Sequence, residues 1–421
     1  MKYSNAKFNF RLKYIKLFGL KSIFIFLISA CANGAPVNAV EGSLAEVQKE
    51  QVEEQEPIIV GAEKLGSFIP LLEGVGVGIV ANQSSMVQNQ HLVDVLSNMR
   101  INVRAVFSPE HGFRGDADAG EHVLNGKDKK TGFPLISLYG KNKKPTKEQL
   151  KDIKVMIFDI QDVGVRFYTY ISTLHYVMEA CAENDILLIV LDRPNPNGHY
   201  VDGPIMEKDF QSFVGMHPVP IVHGMTITEY ARMINGEGWL KDSLQCRMHL
   251  VRCENYTHDT PYSLPVSPSP NLRSDVSIQL YPSLCLLEAT SVTVGRGTDG
   301  PFERYGHPEF SEDATNFSFT PKAGYGSKHP KFEGKKCYGF NLNSPDYQRM
   351  YQLDLSFLMK ANELLKGDVF VNRTKFFNLL AGNSELLKQI EEGKSEDEIR
   401  ASWKEELEEY VEMRKKYLLY E

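Results

Sequence analysis

Five short apolar runs, at 77–81, 103–107, 155–160, 186–191 and 219–222, divide the middle of this 421-residue chain. Each is too continuous for a strand with one wetted face, so each is expected in a parallel sheet covered by helices on both sides. Helical stretches lie between them. Leu92, Val93, Val95, Leu96 and Met99 keep helical spacing, and 146–152, 167–182 and 226–234 come next. The last opens on Thr226 with Glu229 three residues on, a capping box. The fold class is therefore α/β, a Rossmann-like doubly wound, mostly parallel sheet over 58–240. Past residue 240 the alternation weakens and Pro and Ser cluster at 264–270, so 241–421 is expected to form a second, smaller α+β domain. Its final helix is predicted to start at a Ser395/Glu398 capping box and to bury Ile399, Trp403, Leu407, Tyr410, Val411 and Leu418 along one stripe.

The front of the chain is different. Residues 1–30 hold six Lys or Arg and no acid, so the formal charge of −7 becomes −13 on residues 31–421. A basic stretch to Lys21, an apolar run at 23–28 and the small Ser29 and Ala30 are the parts of an export signal. That run is too short to span a bilayer. Ile28-Ser29-Ala30-Cys31 resembles a bacterial lipobox, which implies a lipoprotein signal peptide over 1–30 and acylation of Cys31. The expected product is exported and held on a membrane by a lipid anchor, facing the periplasm or cell surface. Residues 31–57, polar and acidic, read as a flexible tether. Nothing in this charge balance points to nucleic acid as the main partner, and none is expected. The other cysteines, Cys181, Cys246, Cys253, Cys285 and Cys337, lack metal-site spacing and are expected mainly as buried hydrophobes, with Cys246 and Cys253 the one pair that could join.

In an open parallel sheet the ligand sits beyond the carboxyl ends of the strands. Polar residues gather at each such end. Asn82 follows the first run, and Glu110, His111 and Arg114 follow the second. Asp162, Arg166, Tyr168 and Tyr170 come after the third; Asp192, Arg193 and Asn195 after the fourth; His223 after the fifth. Glu110 is singled out because it has no helix to cap and sits among Pro, His, Gly and Arg. Asp192 and Asn195 could instead shape a turn before proline, His223 could be a core imidazole, and Glu229 is read first as a helix cap. Farther on, Glu288 precedes the segment Gly295-Arg296-Gly297-Thr298, which Glu303 follows. Dinucleotide, Walker, zinc-protease and nucleophile-elbow patterns are missing, and the spacing of His111, Asp162 and His223 carries no metal signature, so no cofactor and no metal are expected.

The segments Ser108-Pro109-Glu110-His111-Gly112-Phe113-Arg114-Gly115 with Ala119-Gly120-Glu121, Asp159-Ile160-Gln161-Asp162-Val163-Gly164 with Arg166-Phe167-Tyr168-Thr169-Tyr170, and Leu191-Asp192-Arg193-Pro194-Asn195-Pro196-Asn197-Gly198 resemble the bacterial exo-β-N-acetylmuramidases of the NamZ type. His223-Gly224-Met225-Thr226, Gly295-Arg296-Gly297-Thr298, Pro301-Phe302-Glu303 and the terminal Arg414 with Tyr417-Leu418-Leu419-Tyr420 extend the likeness over 70–421; Thr228 departs from it, where Gly is expected. The resemblance implies an active site between a Rossmann-like domain and a smaller one that closes the cleft. It also implies removal of β-1,4-linked N-acetylmuramic acid from the non-reducing end of peptidoglycan fragments. On that reading Glu110 is the proton donor. The second carboxyl is Glu288, with Glu303, Asp162 or the substrate's own acetamido group as alternatives. An arginine among Arg114, Arg166, Arg193 and Arg296 meets the lactyl carboxylate. Tyr168 and Tyr170 are expected to stack on a sugar face. A muropeptide-binding lipoprotein without activity, and an esterase or amidase using His111 or His223 as base, are the competing readings.

Overall fold

The computed structural model describes residues 56–114, 125–344, 347–365 and 370–421. The signal segment, Cys31, nearly all of the tether, and Gly115, Ala119, Gly120 and Glu121 of the second motif lie outside them. The chain opens with β1 (Val77–Ala81), a small hairpin of β2 (Met86–Val87) and β3 (Gln90–His91), α1 (Leu92–Asn98) and β4 (Val103–Ser108). Then come β5 (Gly126–Lys127), β6 (Pro134–Ser137), β7 (Val155–Asp159), α2 (Tyr170–Glu183), β8 (Leu187–Leu191), α3 (Ile227–Gly236) and β9 (Met248–Val251). Seven of these strands form one sheet in the order β5-β6-β4-β1-β7-β8-β9. Every neighbour pair is parallel except β5 with β6.

Alternation along the central strands explains why the runs are apolar throughout. Val80, Phe107, Phe158 and Val190 face one layer with Ile171, Leu174 and Met178 of α2 and Tyr230 and Met233 of α3. Ile79, Val106, Ile157 and Ile189 face the other, with Leu92, Val93 and Leu96 of α1 and Phe68 and Leu72 of the entry turns. Both faces being covered, all five residues of β1 and of β7 are buried.

The second region holds α4 (Asp275–Leu284), an antiparallel sheet of β10 (Arg304–His307), β11 (Phe317–Phe319) and β12 (Cys337–Asn341) in the order β10-β12-β11, and the helices α5 (Ser356–Leu365), α6 (Thr374–Ala381), α7 (Glu385–Glu391), α8 (Glu396–Ala401) and α9 (Lys404–Lys415). The five described cysteines are buried and unpaired, Cys246 and Cys253 included.

Several local expectations are corrected. The run 219–222 is buried but is not a strand of the sheet: Pro218 and Pro220 remove ladder donors, and Val222 makes only isolated bridges to Val165 and Asp202. The seventh strand is instead β9, drawn from beyond residue 240. The stretch 146–152 forms turns, because only Leu150 in it is buried and no apolar face holds a helix. Helix α2 begins at Tyr170, three residues late. The terminal helix is broken into α8 and α9 at Trp403, whose backbone (φ −116°, ψ 5°) leaves helical geometry as its indole enters the core.

Candidate active site

The loop after β4 is built to project one carboxyl. Pro109 ends the strand, the Gly112 amide donates to the Pro109 carbonyl at 3.2 Å, and His111 and Gly112 both sit at positive φ, 71° and 77°. A histidine in that conformation stores strain of the kind found at functional loops. Glu110 and His111 thereby line a cavity of about 840 Å³ at the strand ends, within the range of ligand sites. The Thr169 hydroxyl donates to Glu110 Oε2 at 2.9 Å, and the Tyr139 hydroxyl also hydrogen-bonds Glu110. Burial first, then the charge of Glu110, push the Tyr139 hydroxyl up, so it stays protonated as a donor.

Phe167, Tyr168 and Tyr170, at the start of α2, form an aromatic wall with Tyr281 and Phe302. Tyr168 meets Tyr170 edge-on (centroids 4.8 Å, 73°) and Tyr281 likewise at 5.8 Å. With exposures of 6% and 1%, the two tyrosines leave no open face for the expected stacking on a sugar.

The facing wall comes from the second region. Helix α4 runs into a tight turn, Cys285–Ala289, that presents Glu288. Arg296 clamps it, Nε to Oε1 at 2.5 Å and Nη2 to Oε2 at 2.9 Å. Burial alone would raise the Glu288 carboxyl, but Arg296, followed by Lys331 and Arg373, holds it below the usual range. Lys331 donates to the carbonyls of Glu288, Thr290 and Val292 at 3.1, 2.7 and 3.0 Å, and burial brings its ammonium down to about 8. Lys328, His329, Arg373 and Phe376 complete this side. Sequence reasoning gave no role to Thr169, although it lies within a quoted motif, and passed over Tyr139, Lys331 and Arg373, which carry no motif and meet the site only in three dimensions.

The remaining expected site residues support the fold around the cavity. Arg166 is fully buried and donates to the carbonyls of Pro204, Val219, Leu380 and Ala381, leaving no fork for a substrate. Arg193 is bidentate to Asp159 (2.7 and 2.9 Å) and bonds the Met86 carbonyl. Arg114 pairs with Asp128 and Asp94, away from the cavity lining. Asn82 bonds the Tyr170 hydroxyl at 3.0 Å and so steadies the wall from behind. Asn195 donates to the Met225 carbonyl, and Gly164, at φ 78°, must be glycine because a Cβ there would strike the Asn195 amide. Glu303 accepts from Ser274, the cap of α4, and from Asn343. Asp162 and His223 face each other at 3.7 Å, buried outside the cavity lining. Asp192 accepts from Tyr420, Thr226 and Thr228, and Glu229 closes the predicted capping box with Thr226.

A doubly wound sheet, a smaller α+β region and a cavity lined by the two carboxyls Glu110 and Glu288 fit an α/β protein of the glycoside-hydrolase kind. The family models agree. Those of exo-beta-N-acetylmuramidase NamZ match residues 77–276 (N-terminal) and 279–420 (C-terminal), and the chain belongs to this family. It is 37% identical over 419 residues to the peptidoglycan beta-N-acetylmuramidase NamZ of Bacillus subtilis (strain 168), covering 95% of this chain and all of that one. Two crystal structures of DUF1343 family proteins from Bacteroides fragilis NCTC 9343 share the fold. One has a TM-score of 0.80 and 46% identity over 87% of this chain and 99% of its own; the other has 0.76 and 28% over 86% and 99%.

Proposed function

We propose that this protein is an exo-acting glycosidase that hydrolyses the β-1,4 bond of N-acetylmuramic acid at the non-reducing end of peptidoglycan fragments, with Glu110 as proton donor. The observation that carries the reading is the placement of Glu110: a loop carboxyl in the cavity, oriented by the Thr169 and Tyr139 hydroxyls. Protonated, it delivers its proton to the leaving glycosidic oxygen. Once ionised, it is stabilised by the same two hydroxyls and is ready to take a proton from water.

Glu288 has the complementary role. Both its oxygens are held by Arg296, which fixes the carboxylate on the cavity wall and makes it a poor nucleophile. Attack on the anomeric carbon then falls to water or to the substrate's acetamido group. In this reading 58–240 carries the proton donor and 241–421 closes the cavity. The test uses protein lacking residues 1–31 with a chromogenic β-N-acetylmuramide and the matching N-acetylglucosaminide. Release from the muramide alone is expected; binding without turnover would refute the proposal.

We also propose that Cys31 is acylated and tethers the enzyme to a membrane, a reading supported by the lipobox-like segment before it. Cys31→Ala should then move the protein from the membrane fraction to the soluble one, and an unchanged distribution would remove the anchor.

A further inference from the structure

The cavity wall around Glu288 carries more positive charge than its own acid can balance. Arg296 has its fork committed to Glu288, and Lys331 has its three protons on backbone carbonyls. Arg373 is different. It stands just ahead of α6, exposed, with its guanidinium carbon 4.3 Å from the centroid of Phe376, a second cavity residue. Among the described residues no salt bridge ties it to a carboxylate; the acid whose charge it feels, Glu288, is already held at both oxygens by Arg296. Arg373 and Arg296 add to the burial that makes the Lys331 charge costly. Three cations beside one carboxylate, in a half-enclosed cavity, are mutually repulsive until an anion joins them.

We infer that Arg373 is the residue that reads the substrate's carboxylate, the lactyl group that distinguishes N-acetylmuramic acid from N-acetylglucosamine. The aromatic ring of Phe376 presets the guanidinium plane, and the planar fork suits a carboxylate. None of the arginines in the recognisable motifs has that freedom: three are committed to the fold and the fourth to Glu288. This inference rests on the proposed function, and its test separates the two.

The experiment compares wild-type protein with Arg373→Gln and Arg373→Lys on a chromogenic β-N-acetylmuramide and on the same compound with the lactyl carboxyl converted to its amide. Binding of free N-acetylmuramic acid and of N-acetylglucosamine is measured by calorimetry on the same proteins. Arg373→Gln should lower kcat/KM on the acid by roughly 10- to 100-fold, as expected for one charge-assisted contact, and change little on the amide. Arg373→Lys should recover part of the loss, and the binding preference for N-acetylmuramic acid should shrink in parallel. Equal losses on acid and amide, or no loss on the acid, would overturn the assignment. If the wild type cleaves neither compound the glycosidase reading fails, yet the calorimetry still decides whether Arg373 selects the carboxylate.

Discussion

Arg296 and Glu288 are joined by two parallel hydrogen bonds, 2.5 and 2.9 Å, across the mouth of the turn after α4. Their side chains are only 23% and 24% exposed, so each neutralises a charge that solvent only partly reaches. Arg296→Met should therefore destabilise the protein by about 1–3 kcal/mol, because Glu288 is left without its main partner. Replacing both residues by methionine should recover part of that loss, because the stranded charge goes with its partner. Denaturant unfolding of the two single variants and the double variant checks this. Strictly additive losses would contradict it.

The C-terminal segment is clasped onto the Rossmann-like layer by two buried carboxylates. Glu229 Oε1 accepts from the Leu419 amide at 2.7 Å and lies 3.1 Å from His258 Nε2, while the Tyr420 hydroxyl donates to Asp192 at 2.6 Å and accepts from the Cys253 amide. Tyr420→Phe should cost about 1–3 kcal/mol by stranding a buried acceptor. Thermal unfolding measures it, and an unchanged transition would show that the clasp is incidental.

Asp192 gives that clasp a pH dependence. Burial outweighs its hydrogen bonds and raises the carboxyl to about 6. A raised folded-state value means that the stabilising contribution is complete below the ordinary carboxylate range and is lost as pH climbs through about 6. Asp192→Asn, which never ionises, should gain stability relative to wild type over that interval, by an amount on the order of 1–3 kcal/mol. Unfolding free energies at both ends of the interval would show it; a constant difference would contradict the sign.

Arg166 separates a structural role from a binding role. Its four bonds to main-chain carbonyls join the segments at Pro204 and Val219 to the end of α6 at Leu380 and Ala381. Arg166→Met should cost about 3 kcal/mol or more, since several buried acceptors lose their donor together. The folded fraction should keep its KM for the muramide, and a rise in KM without loss of stability would return Arg166 to the substrate.

The sheet was legible where burial on both faces writes itself into the residues, as in β1 and β7. It was misread where proline breaks the rule, at 219–222, and missed at β9, whose Met248, His249 and Leu250 are only partly covered at the sheet edge. Glu110 drew attention in the sequence because a carboxyl between Pro109 and Gly112 has no helix to cap, and the structure places it on the cavity. Motif arginines misled for a physical reason: Arg166 and Arg193 stand beside the chemistry because they brace it. Arg373 and Lys331 reach Glu288 from 85 and 43 residues away, a proximity that no local pattern encodes.

Proton donation by Glu110 should show itself in the dependence of the rate on the leaving group. The Glu110→Gln variant is assayed on a disaccharide with a terminal N-acetylmuramic acid and on a dinitrophenyl β-N-acetylmuramide, whose leaving group needs no proton. A loss of roughly 10²–10⁴-fold in kcat/KM is expected on the disaccharide, with near-normal kcat/KM on the dinitrophenyl compound, where only the later attack of water, read in kcat, still lacks its base. Unimpaired hydrolysis of the disaccharide by the variant would mean that Glu110 is not the proton donor.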